Sequence, residues 1–281
     1  MKDYILTLRC EDRPGIVAAV ASRLASHGGN INEAQQFDDL EVGKFFMRVA
    51  FSMDRPIDDF IGRFAEEVKR MQLEWTLRPA DQQRKVLILV SKFDHCLVDL
   101  LYRSRIGELN MECVGVISNH PRETLGLAIT PEIPFHHFAV TKETKSEQEE
   151  RIRGVIMETG ADLIVLARYM QVLSNDFSAY LTGRCINIHH SFLPGFKGAK
   201  PYHQAYERGV KMIGATAHYV TGDLDEGPII SQDVEHVTHA DRPDDLVRKG
   251  RDIERRVLAR AVTLHLQDRV LLNGRRTVVF T

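Results

Sequence analysis

Residues 85–93 read KVLILVSKF, an almost unbroken apolar run. A strand with apolar side chains on both sides must be covered on both faces, as when helices flank a parallel sheet. The residues after it keep to that plan. MECVGVISN (111–119), FHHFAV (135–140), ADLIVLARY (161–169) and CINIHH (185–190) read as further strands. SEQEERIRGVIMETG (146–160) reads as a helix between two of them. Strands and helices in alternation predict a doubly wound α/β sheet. Ligands of such sheets bind outside the carboxyl ends of the strands.

The first 78 residues follow a different pattern. Tyr4 to Cys10 alternates as a strand, and Asp12-Arg13-Pro14-Gly15 turns the chain into a helix with Ile16, Val20 and Leu24 at helical spacing. Gly28-Gly29 closes that helix. Strands are predicted at Ile31 to Phe37 and Lys44 to Met53, then a helix from Pro56 to Met71 and a closing strand from Leu73 to Leu77. The order β-α-β-β-α-β is the ferredoxin-like α+β plan. The polar stretch Pro79 to Arg84 reads as a linker, so the expected domains are 1–78 and 85–281, with 79–84 between them.

Within the second part, CINIHHSFLPG (185–195) is the unusual stretch. An apolar strand ends in two adjacent histidines and enters a Pro-Gly loop. Side chains alternate across a strand, so Asn187 and His189 share one face and His190 is expected on the other. That separation argues against a zinc site built on both histidines. An amide donor and an imidazole aimed at one group can stabilise an oxyanion and move a proton. Spacing alone leaves open whether they are simply hydrogen-bonded groups at a strand end. A second segment, HYVTGDLDEGPII (218–230), holds Asp223, Asp225 and Glu226 in a short loop. A carboxylate there could orient an imidazole, and spacing does not choose among the three. Ser191 lacks the strand-turn-helix elbow of a serine nucleophile.

INIHHSFLPGFKG followed by GATAHYVTGDLDEGPII resembles the folate-dependent formyltransferase family, over residues 85 to 281. The resemblance implies a Rossmann-like domain with Asn187, His189 and Asp225 as catalytic residues. The family usually has proline after the histidine, where this chain has His190. LARYMQVLS (166–174) resembles the family's pterin-holding segment, which implies folate-binding positions at Arg168, Met170, Val172 and Leu173. Relatives that formylate glycinamide ribonucleotide have a Gly-rich turn for its phosphate after the first strand. Here that place reads SKFDHCLVDLL, without glycine. This segment resembles the deformylase branch, whose acceptor is water. CEDRPGIVAAVASRLASHGGNINEAQQ resembles ACT domains, which implies an amino-acid site at Asp12, Arg13, Gly15, Ile16, Asn30 and Ile31. The resemblance therefore implies hydrolysis of 10-formyltetrahydrofolate to formate and tetrahydrofolate, serving one-carbon and purine metabolism. It also implies a glycine or methionine effector and a homo-oligomer, with no cofactor and no metal. The alternatives are a transferase with an unidentified amine acceptor and a catalytically inert folate-binding protein under ACT control.

Composition limits partners. Lys and Arg number 37 against 39 acidic residues, so no basic excess points to nucleic acid. No apolar run approaches the ~20 residues of a membrane span. The N-terminal MKDYILTLRCEDRPG lacks the apolar block of a signal peptide, so a cytoplasmic protein is expected. Cys10, Cys96, Cys113 and Cys185 show no CxxC or metal-ligand spacing and read as small buried hydrophobes.

Overall fold

The computed structural model describes residues 1–125, 132–195 and 201–281. The chain forms two compact units: 1–82 with 267–273 and 278–281, and 83–266 with 274–277.

In the first unit the elements are β1 (Lys2–Glu11), α1 (Ile16–Ser26), β2 (Gly29–Asp39), β3 (Lys44–Met53), α2 (Ile57–Met71) and β4 (Glu74–Pro79). The antiparallel sheet has the order β2-β3-β1-β4, as the ferredoxin-like plan requires. The helix-facing core comes from alternate strand residues, Leu6 and Leu8 with Val49 and Phe51, and from Val20, Leu24, Phe60 and Phe64 of the helices. The closing strand runs on to Pro79, two residues past the expected end. β4 thus enters the stretch read as linker, β5 takes its last residue, Arg84, and only 80–83 remain as a short turn.

The opposite sheet face is covered by the far end of the chain. β12 (Val270–Asn273) and β13 (Arg276–Val279) form a hairpin, and Leu271, Val278 and Phe280 pack on Phe46. Buried Arg48 donates from Nε to the Gln267 carbonyl (3.0 Å) and pairs with Glu33 (3.0 Å). Asn273 Nδ2 donates to Asp39 (2.6 Å). Residues 267–273 and 278–281, expected in the second domain, therefore belong to the first unit. A sheet with apolar residues on both faces needs a second cover, and this segment supplies it.

The second unit contains β5 (Arg84–Val90), α3 (His95–Arg105), β6 (Met111–Ser118), β7 (Phe135–His137), α4 (Lys145–Thr159), β8 (Leu163–Leu166), α5 (Asn175–Tyr180), β9 (Cys185–His189), α6 (Pro201–Glu207), β10 (Met212–Tyr219), β11 (Ile229–His236) and α7 (Pro243–Leu266). The seven-stranded sheet has the order β11-β10-β9-β8-β5-β6-β7. Strands β9 to β7 in that order are parallel, and β10 runs antiparallel to both β9 and β11. Val86 to Val90 are fully buried, as a strand covered on both faces must be. β7 and β8 are shorter than expected. β8 stops at Leu166 because Arg168 adopts a left-handed conformation (φ 65°), which turns the chain out of the sheet.

Candidate active site

At the carboxyl ends of β8 and β9 lies a cleft of about 240 Å³, lined by Arg168, Asn187, His189, His190, His218 and Asp225 among others. β9 delivers Asn187 and His189 on one face. β10 pairs with β9 so that His218 stands opposite Asn187 and Thr216 opposite His189. The pairing brings a third functional side chain, His218, to the amide.

Asp225 arrives from the loop after β10. That loop folds tightly back on its own strand: Tyr219 N–H donates to the Pro228 carbonyl (2.9 Å). A Cβ at residue 227 would collide with the Tyr219 carbonyl oxygen, so only glycine allows this approach. Asp225 itself is left-handed (φ 57°), a conformation aspartate tolerates better than most residues. Its Oδ2 lies 3.2 Å from His189 Nδ1 and its Oδ1 3.6 Å from His218 Nε2. Partial burial pushes the Asp225 carboxyl up, but the hydrogen bond from His189 and the nearby His218 ring outweigh it and hold the group well below the usual carboxylate range. Asp225 is therefore an acceptor, and His189 Nδ1 carries the proton it accepts. His189 Nε2 is buried with no hydrogen-bond partner among the described residues.

His218 Nδ1 donates to the Tyr219 carbonyl (2.9 Å), which fixes the ring. Its Nε2 is 3.3 Å from Asn187 Nδ2. The Asn187 amide donates one hydrogen to that nitrogen, which leaves its second for the cleft that Asn187 lines. The sequence singled out Asn187, His189 and Asp225 but not His218, because the β9–β10 register is not written locally.

His190 departs from expectation. Strand pairing ends at His189, so alternation no longer governs the next side chain. Its ring centroid lies 5.2 Å from that of His189, and it lines the same cleft. Burial pushes His190 down to about 4, with Arg168 adding to the effect, so it is neutral near pH 7.

Of the expected folate positions, Arg168 is buried, while Met170 and Val172 are 52% and 56% exposed, apolar surface at the cleft mouth. Leu173 is partly buried against the core. The segment is anchored at both ends: Ser91 N–H donates to the Arg168 carbonyl, Met170 N–H donates to Ser91 Oγ, and Glu149 accepts from Ser174. Phe196-Lys197-Gly198 of the first motif lies outside the described residues.

Behind Arg168 stands a buried group that the sequence did not reveal. Glu254 of α7 is 1% exposed and accepts from Tyr202 Oη (2.6 Å) and His95 Nε2 (2.9 Å). Tyr202 reaches it only because residue 250 is glycine; a Cβ there would strike the tyrosine ring. His95, Cys96 and Glu254 bring metal-ligand atom types within 4.8 Å of one another. Both Glu254 oxygens already accept protein hydrogen bonds, and burial pushes the Cys96 thiol well up, so these groups are paired or protonated rather than ready for a cation. Cys10 and Cys185 are buried as expected, and Cys113 is half-buried with its thiol pushed up to about 11.

At the expected amino-acid site, Gly15 caps α1 with φ 93°, and Asp12 N–H donates to the Gly43 carbonyl. Ile16 is 2% exposed, so its side chain serves the core and only its backbone faces the turn. Arg13 and Ile31 are partly buried. Asn30 is exposed, and its amide donates to Asn32 Oδ1 (3.0 Å).

Comparison with known proteins gives two family matches, Formyl transferase over residues 84–262 and ACT domain over residues 4–64. The chain is 51% identical to a formyltetrahydrofolate deformylase of Corynebacterium sp. (strain P-1), over 98% of this chain and 97% of that protein. It is 48% identical to one of Synechocystis sp. (strain ATCC 27184 / PCC 6803 / Kazusa), over the same shares. The crystal structure of a formyltetrahydrofolate deformylase from Burkholderia mallei ATCC 23344 matches with a TM-score of 0.95 and 51% identity, over 100% of both chains.

Proposed function

The chain belongs to the formyltetrahydrofolate deformylases, and from that premise we propose that it hydrolyses 10-formyltetrahydrofolate to formate and tetrahydrofolate. The observation that carries the mechanism is the convergence of Asn187, His189 and Asp225 on one cleft, with His189 Nε2 buried and unpartnered. Asn187 donates to the formyl oxygen and to the oxyanion that forms when water adds. A preorganised donor of this kind stabilises charge where it develops. Asp225 keeps the His189 proton on Nδ1, so Nε2 is the atom that exchanges protons with water and with the departing N10. His218 holds the Asn187 amide in place. This chemistry calls for no metal and no cofactor.

The exposed apolar Met170 and Val172 suit the flat pterin ring. An ACT unit supports an amino-acid effector, with glycine and methionine the first to test. Among the described residues no strand pairs with the outer edges of β2 and β4, which supports a homo-oligomer. The described residues include no helix long and apolar enough to cross a membrane, and we place the protein in the cytoplasm.

Purified protein given 10-formyltetrahydrofolate and no acceptor should release formate. No release would refute the hydrolase reading. Asn187→Ala and Asp225→Asn should each lower turnover by about two to three orders of magnitude while folate binding survives. Near-normal turnover in either variant would remove it from the mechanism.

A further inference from the structure

Arg168 combines three properties that a merely structural arginine does not need. Its backbone is left-handed (φ 65°), a conformation costing roughly 1 kcal/mol or more for a residue with a Cβ. Its side chain is 9% exposed. Its Nε and Nη1 are buried without a hydrogen-bond partner among the described residues. Glu254 balances the charge, with Oε2 3.3 Å from Nε, but outside hydrogen-bond geometry. That carboxylate accepts from His95 and Tyr202 instead. The guanidinium is thus neutralised in charge yet unsatisfied in hydrogen bonds. A buried donor left unmade is costly, and more so on a charged group.

His189 Nε2 is the second orphan of the same cleft wall. An occupant that satisfies both must accept hydrogen bonds from the guanidinium and reach the imidazole. A carboxylate, with two oxygens that only accept, suits such charged donors. The reaction makes one. Water adds to the formyl carbon, and the C–N10 bond breaks with its electron pair and a proton going to N10. The carbon then leaves as formic acid, which loses its remaining proton to water as formate. The substrate's formyl group is neutral and a weaker acceptor, whereas formate brings charged oxygens that take stronger hydrogen bonds from these unmade donors.

We infer that Arg168, backed by Glu254 and flanked by His189, forms a carboxylate subsite that receives formate as it is generated. The identity of the ligand rests on the hydrolase reading; the donors do not.

The test is titration of the full chain with ¹³C-labelled sodium formate, followed by NMR line broadening, against sodium chloride at equal ionic strength. Wild type should bind formate saturably. Arg168→Lys keeps the charge but loses the planar set of N–H donors, and should weaken binding several-fold. In Arg168→Gly/Glu254→Gln, glycine accepts the φ of 65° and glutamine removes the buried carboxylate that would have lost its guanidinium. That protein should bind formate at least about tenfold more weakly. Binding of wild type no stronger than in the chloride control overturns the subsite, as does undiminished binding by the double variant. Should the double variant fail to fold, unchanged affinity in Arg168→Lys overturns it alone. Turnover on the same samples separates the two readings. Hydrolysis without formate binding removes the subsite and leaves the hydrolase. Formate held through Arg168 without hydrolysis supports the subsite and removes the hydrolase.

Discussion

Replacing His190 by glutamine should make the protein less sensitive to mild acid. In the folded chain His190 sits at about 4 against an ordinary 6.5, because burial opposes its charging and the Arg168 cation adds repulsion. Glu254 pulls the other way, His189 adds to the repulsion, and Asp225 opposes it least. A histidine whose folded value is depressed takes up its proton in the unfolded chain first. Native stability is therefore lost as pH falls from about 6.5 to about 4, and is fully present above that interval. Between pH 7 and pH 5 this one side chain lowers the unfolding free energy by about 2 kcal/mol. Urea denaturation followed by far-UV circular dichroism at the two pH values, for wild type and His190→Gln, isolates the contribution. The variant's loss between them should be smaller by about that amount. Parallel losses would refute the argument and mean that His190 is charged, or absent from the cleft wall.

Three further outcomes follow from the packing. His218→Phe removes the ring that holds Asn187, and should lower kcat about 10- to 100-fold with little change in KM; steady-state kinetics showing unchanged kcat would reject that role. Gly250→Ala drives a methyl into the Tyr202 ring and should cost about 1–3 kcal/mol, read as a fall in Tm; an unshifted Tm would contradict the close approach. Removing residues 267–281 uncovers Phe46 and takes the Gln267 carbonyl from Arg48. Amide exchange in β1 and β3 should then accelerate markedly, and unchanged protection would show that the hairpin is dispensable.

Much of the molecule was legible because its signals are local. The burial of β5 on both faces was written in KVLILV, and the face shared by Asn187 and His189 in a two-residue alternation. What escaped depends on distance in sequence. The partnership of His218 with Asn187 is set by strand register, and that of Glu254 with Arg168 by where α7 lies along the sheet. His190 was misplaced by extending alternation one residue beyond the last strand pair. Arg168 was read as the end of a strand, since nothing in LARY announces a left-handed arginine.

The return of residues 267–273 and 278–281 to the first unit also has a meaning in time. On the ribosome the N-terminal sheet emerges first, with Phe46 and Arg48 bare on one face. At synthesis rates of about 5–20 residues per second, the strands that cover them arrive roughly 10 to 40 s later. In that interval the nascent chain carries a sheet with one uncovered apolar face and two open edges, the kind of surface that chaperones bind. The ACT unit precedes the catalytic sheet in synthesis yet is finished after it, so it reaches its final form only once that sheet has been translated.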